Sequence, residues 1–173
     1  MRKVILAYVF LFLCVSIAAA STDETRKKIV ELKNQIIDLQ NQGELGITDL
    51  VACSKVLNLG TYVPLPEAKV KKGGTFYTYF EPLNFFTNKR EGMYEIWLSA
   101  DMFILNEAQE VLMSKENATD MHLNTYSPVF DLYFKYTLDM TDAPVGKYVL
   151  KVVINDKLRE TSAEKTLPFE VVE

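Results

Sequence analysis

The chain is poor in the residues from which metal centres and catalytic nucleophiles are usually assembled: its 173 residues include one His and two Cys. With His122 alone, a multi-His metal centre is excluded, and a Ser-His-Asp triad would depend on that single imidazole. No G-x-S-x-G, H-E-x-x-H, P-loop, G-x-G-x-x-G or C-x-x-C pattern occurs, so the sequence offers no catalytic residue, no metal ligand and no cofactor. The 23 Asp+Glu show no spacing that marks a glycosidase pair. Asp139, Asp142 and Asp156 lack the calcium-loop pattern around them and read as turn formers. Basic surface is lacking too. At net charge −4 and a pI near 5.2 the chain has no nucleic-acid footprint. These absences predict a protein that is not an enzyme.

What is present begins with an address. Arg2 and Lys3 precede an apolar run from Val4, which ends at Ala18-Ala19-Ala20 before the polar Ser21-Thr22-Asp23-Glu24. This is the form of a secretory signal peptide with an A-x-A site, cleaved after Ala20. The 17 residues from Val4 to Ala20 are short for a ~30 Å hydrocarbon core, so stable membrane insertion is not expected. Cys14 follows Leu11, Phe12 and Leu13, where a lipobox wants a small residue just before the Cys, and a lipid anchor is rejected. Cleavage removes two cations and no acid, which takes the net charge to −6. It also leaves Cys53 alone, as a buried small hydrophobe or as a thiol that bridges two chains.

The expected domains are a signal peptide over 1–20, an amphipathic helix over 21–45 and a β domain over 46–173. In the helical segment Ile29, Leu32, Ile36 and Leu39 are spaced +3, +4, +3 and form one apolar stripe. Ser21 and Glu24 have capping-box spacing, Asp23 and Glu24 precede Lys27 and Lys28 by four, and Gly43 ends the helix. Two heptads predict contact with a protein partner or weak self-association, unless the stripe packs on its own domain.

After Gly46 the pattern is β. Candidate strands are Val51 to Leu57, Thr75 to Glu81, Met93 to Leu105, Glu110 to Ser114, Val129 to Asp139, Lys147 to Asn155 and Thr166 to Val172. Asn84 to Gly92 and Lys115 to Ser127 read as loops, the second holding His122 as a solvated side chain. About seven strands with no helix between them predict an antiparallel two-sheet sandwich.

Asp142-Ala143-Pro144-Val145-Gly146-Lys147-Tyr148 resembles the corner before the sixth strand of immunoglobulin-like sandwiches, where a Tyr hydroxyl bonds back to the upstream backbone, so Tyr148 is expected to be structural. More widely, the residues Ala52-Cys53, Leu59-Gly60-Thr61-Tyr62, Lys72-Gly73-Gly74, Tyr79 to Phe85, Gly146 to Leu150, Asn155-Asp156 and Leu167 to Val171 are similar to secreted bacterial immunoglobulin-like β-sandwich proteins of unknown function. The resemblance covers roughly 51–173. It implies the fold and brings no activity, cofactor or site residue.

The aromatic content leaves room for a ligand. Alternation sends Tyr77 and Tyr79 to one face with Glu81, and Trp97 to a face with Glu95, the kind of surface that stacks on sugar rings or meets a protein. Asn117-Ala118-Thr119 is a glycosylation sequon, meaningful only in a eukaryotic source. The resulting expectation is a secreted or periplasmic, non-enzymatic interaction or structural module. The alternative is a carbohydrate-binding module that takes polysaccharide on Tyr77, Tyr79 and Trp97.

Overall fold

A computed structural model describes residues 2–173, with side chains from Thr22 on; the expected signal peptide, its expected cleavage after Ala20 and the capping role of Ser21 lie outside the described side chains. The elements in chain order are α1 (Arg2–Gln42), β1 (Gly46–Ile47), β2 (Val51–Asn58), β3 (Thr61–Pro64), a 3-10 turn (Pro66–Ala68), β4 (Lys69–Lys71), β5 (Thr75–Phe80), β6 (Pro82–Leu83), β7 (Asn88–Arg90), β8 (Met93–Asn106), β9 (Val111–Thr125), β10 (Phe134–Asp139), β11 (Gly146–Asp156) and β12 (Thr161–Val172). The chain is thus all-β with one N-terminal helix. It divides into Met1–Asp38 and Leu39–Glu173.

Within the helical unit, charge spacing does part of what the sequence anticipates. Lys27 pairs with Asp23 at 3.1 Å, whereas Lys28 pairs with Glu31 at 3.0 Å instead of Glu24. Ile29, Leu32, Ile36 and Leu39 are all exposed, between 46% and 69%. Among the described side chains of α1, the buried apolar residue is Ile37, one position off the stripe.

In the second unit, β10-β5-β2-β3 form one sheet and β4-β12-β11-β8-β7 another, with β9 paired to β8 and a small β1-β6 pair beside them. The two larger sheets curl as a half-barrel. All the pairings are antiparallel except β12 with β4, which is parallel. Period-two burial builds the core. Phe76, Thr78 and Phe80 of β5 point inward with Phe134, Tyr136 and Leu138 of β10, and Ile96, Leu98, Ala100, Met102 and Ile104 of β8 do so with Leu150, Val152 and Ile154 of β11. Phe80 stacks on Phe134 with rings 5.1 Å apart and 7° between planes, and Phe76 reaches across to Phe169 of β12 at 5.2 Å. Each of these rings removes a large apolar surface from water, so truncating one to Ala costs about 3–5 kcal/mol.

Three expectations are corrected. The polar segment Lys115 to Ser127 is not a loop; up to Thr125 it continues β9, which runs beside β8 from Tyr94↔Thr125 to Leu105↔Val111. An edge strand satisfies its backbone by pairing on one side, and here only Ala118, Met121 and Leu123 of its second half pack on the core, too short an apolar run to mark a strand in polar text. The strand expected from Val129 begins only at Phe134, although Phe130 and Leu132 keep the inward-facing spacing. The count of about seven strands also falls short of the twelve among the described residues, because β3, β4 and β7 are edge segments of three or four residues in turn-rich text, β7 inside the expected loop Asn84 to Gly92, and β1 and β6 have only two residues each.

Within the second unit, which includes the last residues of α1, Asn41 and Gly43 join a polar network the sequence did not mark. Gly43 follows the helix, and a Cβ there would lie 2.4 Å from Cγ of Asn84 and push that side chain out of place. Asn41 holds Thr87 from both sides: its Nδ2 donates to the Thr87 carbonyl at 2.9 Å and its Oδ1 accepts the Thr87 N–H at 2.8 Å. Arg159 donates Nη1 to the carbonyls of Asn41 (3.2 Å) and Gly43 (2.8 Å) and Nη2 to that of Asn84. Its cation therefore sits on carbonyls that a helix end leaves unsatisfied.

Candidate functional site

Two outer sheet faces carry the aromatic residues singled out from the sequence, and they are different faces. On β10-β5-β2-β3, Tyr77 and Tyr79 do share a face with Glu81, opposite Phe76 and Phe80. Tyr79, however, is 2% exposed and is no surface platform. It packs with Cys53 and Val56 in a second small core, with Val51, Tyr62 and Tyr77 around it. Tyr62 lies 4.4 Å from it and Tyr133 stacks at 5.6 Å. The phenol donates to Glu81 and accepts the Gly60 N–H at 2.6 Å. Burial, then the bond to Glu81, push its pKa up to about 12. Lys135 lies over the ring of Tyr77 at 4.5 Å. Alternation alone gave the right face. It missed the cover, because the hairpin of β2 and β3 and the approach to β10 fold over that face and bury Tyr79.

Cys53 at the centre of this cluster is fully buried and free, its Sγ 3.6 Å from the Val51 carbonyl. Burial raises its pKa, which keeps it a thiol and not the reactive thiolate.

Trp97 lies on the other sheet. Opposite it in the β8-β9 register is His122, and the two rings stack at 4.6 Å with 15° between planes. Thus His122 is a cross-strand partner and not a loop residue. Its Nε2 also hydrogen-bonds Glu95 at 2.8 Å, and Asn88 donates to the other Glu95 oxygen at 3.0 Å. Those two bonds hold the Glu95 carboxyl below the usual carboxylate range. Trp97 Nε1 donates to Asp120 at 2.8 Å.

Further along the strand, Asp101 accepts the N–H of Asn117 at 2.7 Å and the side-chain amide of Asn155 at 3.0 Å. Asn117 has φ +47° at a bulge in β9, where the ladder passes from Ala100↔Thr119 to Met102↔Lys115. Asp101 supplies the acceptor that the bulged N–H has lost in the ladder. Beside Trp97 a shallow depression of about 400 Å³ is lined by Asn155, Lys157, Glu160, Thr161 and Ser162. The arrangement offers an indole, an amide, a cation and hydroxyls to a polar ligand. It does not bring Trp97 together with Tyr77 and Tyr79.

Tyr148 donates its hydroxyl to the Pro144 carbonyl at 2.7 Å and stacks on Phe169 at 5.4 Å. Its polar end is therefore occupied within the chain. Among the described residues no group of three or more His, Cys, Asp or Glu is placed to hold a metal ion, and no helix is long and apolar enough to cross a membrane.

No family model matches the chain, and no curated protein does. Solved structures share its outline only loosely. The alkylpurine DNA glycosylase AlkC of Pseudomonas fluorescens is 10% identical with a TM-score of 0.42, over 76% of this chain and 31% of its own. A Niemann-Pick type C2 protein from Japanese carpenter ant is 8% identical with a TM-score of 0.45, over 75% and 94%. The sporulation control protein Spo0M of Bacillus subtilis is 8% identical with a TM-score of 0.43, over 76% and 50%. This chain spans about a third of the glycosylase.

Proposed function

We propose that this chain is a secreted, non-enzymatic interaction module: an immunoglobulin-like β-sandwich behind an amphipathic helix whose apolar stripe meets a protein partner. The carrying observation is the exposure of Ile29, Leu32, Ile36 and Leu39, a regular apolar row left in water. The aromatics argue the same way by default, since Tyr79 is buried, Tyr77 lies under Lys135, and Trp97 stands on the other sheet against His122. The sandwich is supported by one core shared between the two larger sheets and by the Tyr148 to Pro144 corner bond.

The test is a photo-crosslinking residue in place of Leu32 in the chain as produced by its own cells. A defined crosslinked product that disappears with Ile36→Asp, while the melting temperature of the β domain holds, supports the reading. A fall in melting temperature with no product shows a stripe packed within the chain and ends it.

A second reading rests on the depression beside Trp97, where an aromatic ring borders amide, hydroxyl and charged groups as sugar sites require. There the ligand is a polysaccharide and the contacts come from Trp97, Asn155 and Ser162.

A further inference from the structure

We infer that the partner of the helix stripe is an amphipathic helix with acidic residues flanking its apolar seam, and not a second copy of this chain; this rests on the interaction reading above. With Ile29 and Ile36 at the a positions and Leu32 and Leu39 at the d positions of a heptad, the flanking e and g positions from 26 onward are Arg26, Lys28, Lys33, Gln35, Gln40 and Gln42. All are cationic or amide. The acids Asp23, Glu24, Glu31 and Asp38 fall on b and c, away from the seam.

Two copies side by side in parallel would set Lys28 against Lys33, since g of one helix meets e of the next heptad in the other. Antiparallel copies would pair e with e and g with g, again without one acid opposite a cation. Neither orientation of a homodimer gains charge complementarity, and the parallel one is repelled. The Lys28 to Glu31 bridge does not remove this bias. Both side chains are more than half exposed, and such a bridge is weak enough for Lys28 to turn to an acid across the seam.

A bilayer surface is a poorer fit. A helix lying in a membrane interface carries a broad face with aromatics and a cationic excess. The segment 22–42 has two seam residues per heptad, no aromatic, and four cations balanced by four acids. Three of the four cations, Arg26, Lys28 and Lys33, flank the seam, with Lys27 on f; that placement suits acids at the e and g positions of a facing helix.

The test uses two labelled three-heptad peptides with Ile at a and Leu at d, one with Glu and one with Lys at every e and g, titrated into the secreted chain. The Glu peptide is expected to bind at least about tenfold more tightly than the Lys peptide, from opposite-charge pairs gained and like-charge pairs avoided. High salt should shrink the difference, and Lys28→Glu with Lys33→Glu should reverse it. Equal binding, failure of both peptides, a concentration-dependent dimer in sedimentation, or co-flotation with phosphatidylglycerol vesicles overturns the inference. The crosslink from position 32 is read separately, so loss of the charge preference with the Ile36-dependent product intact rejects the acidic helix and keeps the interaction module.

Discussion

Asp156, the last residue of β11, and Arg159, three positions on, meet in one short turn of the second unit. The Asp156 carboxylate is fully buried and accepts the N–H groups of Phe86 (2.7 Å), Leu158 and Arg159 (both 3.1 Å), while the Arg159 Nε stands 3.7 Å from it. Removing the carboxylate leaves three donors without an acceptor and a cation without its counter-charge. Asp156→Ala is therefore expected to cost about 3–5 kcal/mol, read as a fall in the denaturant midpoint. A loss under about 1 kcal/mol would show that water replaces the carboxylate.

Arg159→Met keeps an aliphatic stem and removes the guanidinium that lies over the Phe86 ring at 5.6 Å and serves the carbonyls of Asn41, Gly43 and Asn84. Hydrogen exchange should quicken at Asn41 to Glu44 and at Thr87 while the amides of β8 and β11 remain protected. Uniform acceleration across the sheets would mean that the network is part of the global fold and not a local clasp.

Tyr79 predicts an alkaline instability. Its folded-state pKa is raised to about 12 from an ordinary 10, so the native state keeps a proton that the unfolded state has released. The contribution is fully present below pH 10 and is lost as pH rises from there through about 12. Absorbance titration near 295 nm should show Tyr79 ionising in a late phase together with Tyr136, whose pKa burial also raises, and Tyr79→Phe should shrink that phase and remove its share of the pH slope. Simultaneous ionisation of all tyrosines would contradict the buried phenol.

Glu95 gives the opposite sign at acid pH. Its carboxyl is held below the usual range by His122 and Asn88, so the stabilisation it adds is present above the ordinary carboxylate pKa of 4.5 and fades as pH falls through the lower folded value. Glu95→Gln should flatten the acid limb of the stability profile below about pH 4.5. An unchanged acid limb would place the titrating group elsewhere.

Tyr148→Phe is expected to cost on the order of 1 kcal/mol, the net worth of one hydrogen bond, with the stack on Phe169 left in place. Chemical denaturation gives the readout, and an unmoved midpoint would show the corner bond to be exchangeable with water.

Trp97 is the sole tryptophan, so its emission reports on one place. If the depression beside it takes polysaccharide, oligosaccharide titration should shift that emission, and Asn155→Ala should weaken the response. A flat titration across neutral and acidic oligosaccharides would dismiss the sugar reading.

The residue order fixes which faces of the main strands turn inward, because apolar alternation and burial obey the same period of two: Ile96, Leu98 and Ala100 on β8, and Leu150, Val152 and Ile154 on β11, lie where their spacing puts them. It fixes the helix stripe and the glycine that ends the helix for the same reason, local periodicity and local backbone geometry. What covers an outward face, and which distant groups meet, emerges with the packing of the folded chain. Tyr79 is buried because β3 and the segment before β10 fold across its sheet, and His122 lies on Trp97 because a polar edge strand needs backbone pairing rather than apolar content to form. The clasp of Asn41, Asn84, Asp156 and Arg159 was illegible for a further reason. Its members are up to 118 residues apart, and hydrogen bonds between chain-distant polar groups leave no periodic trace in a sequence.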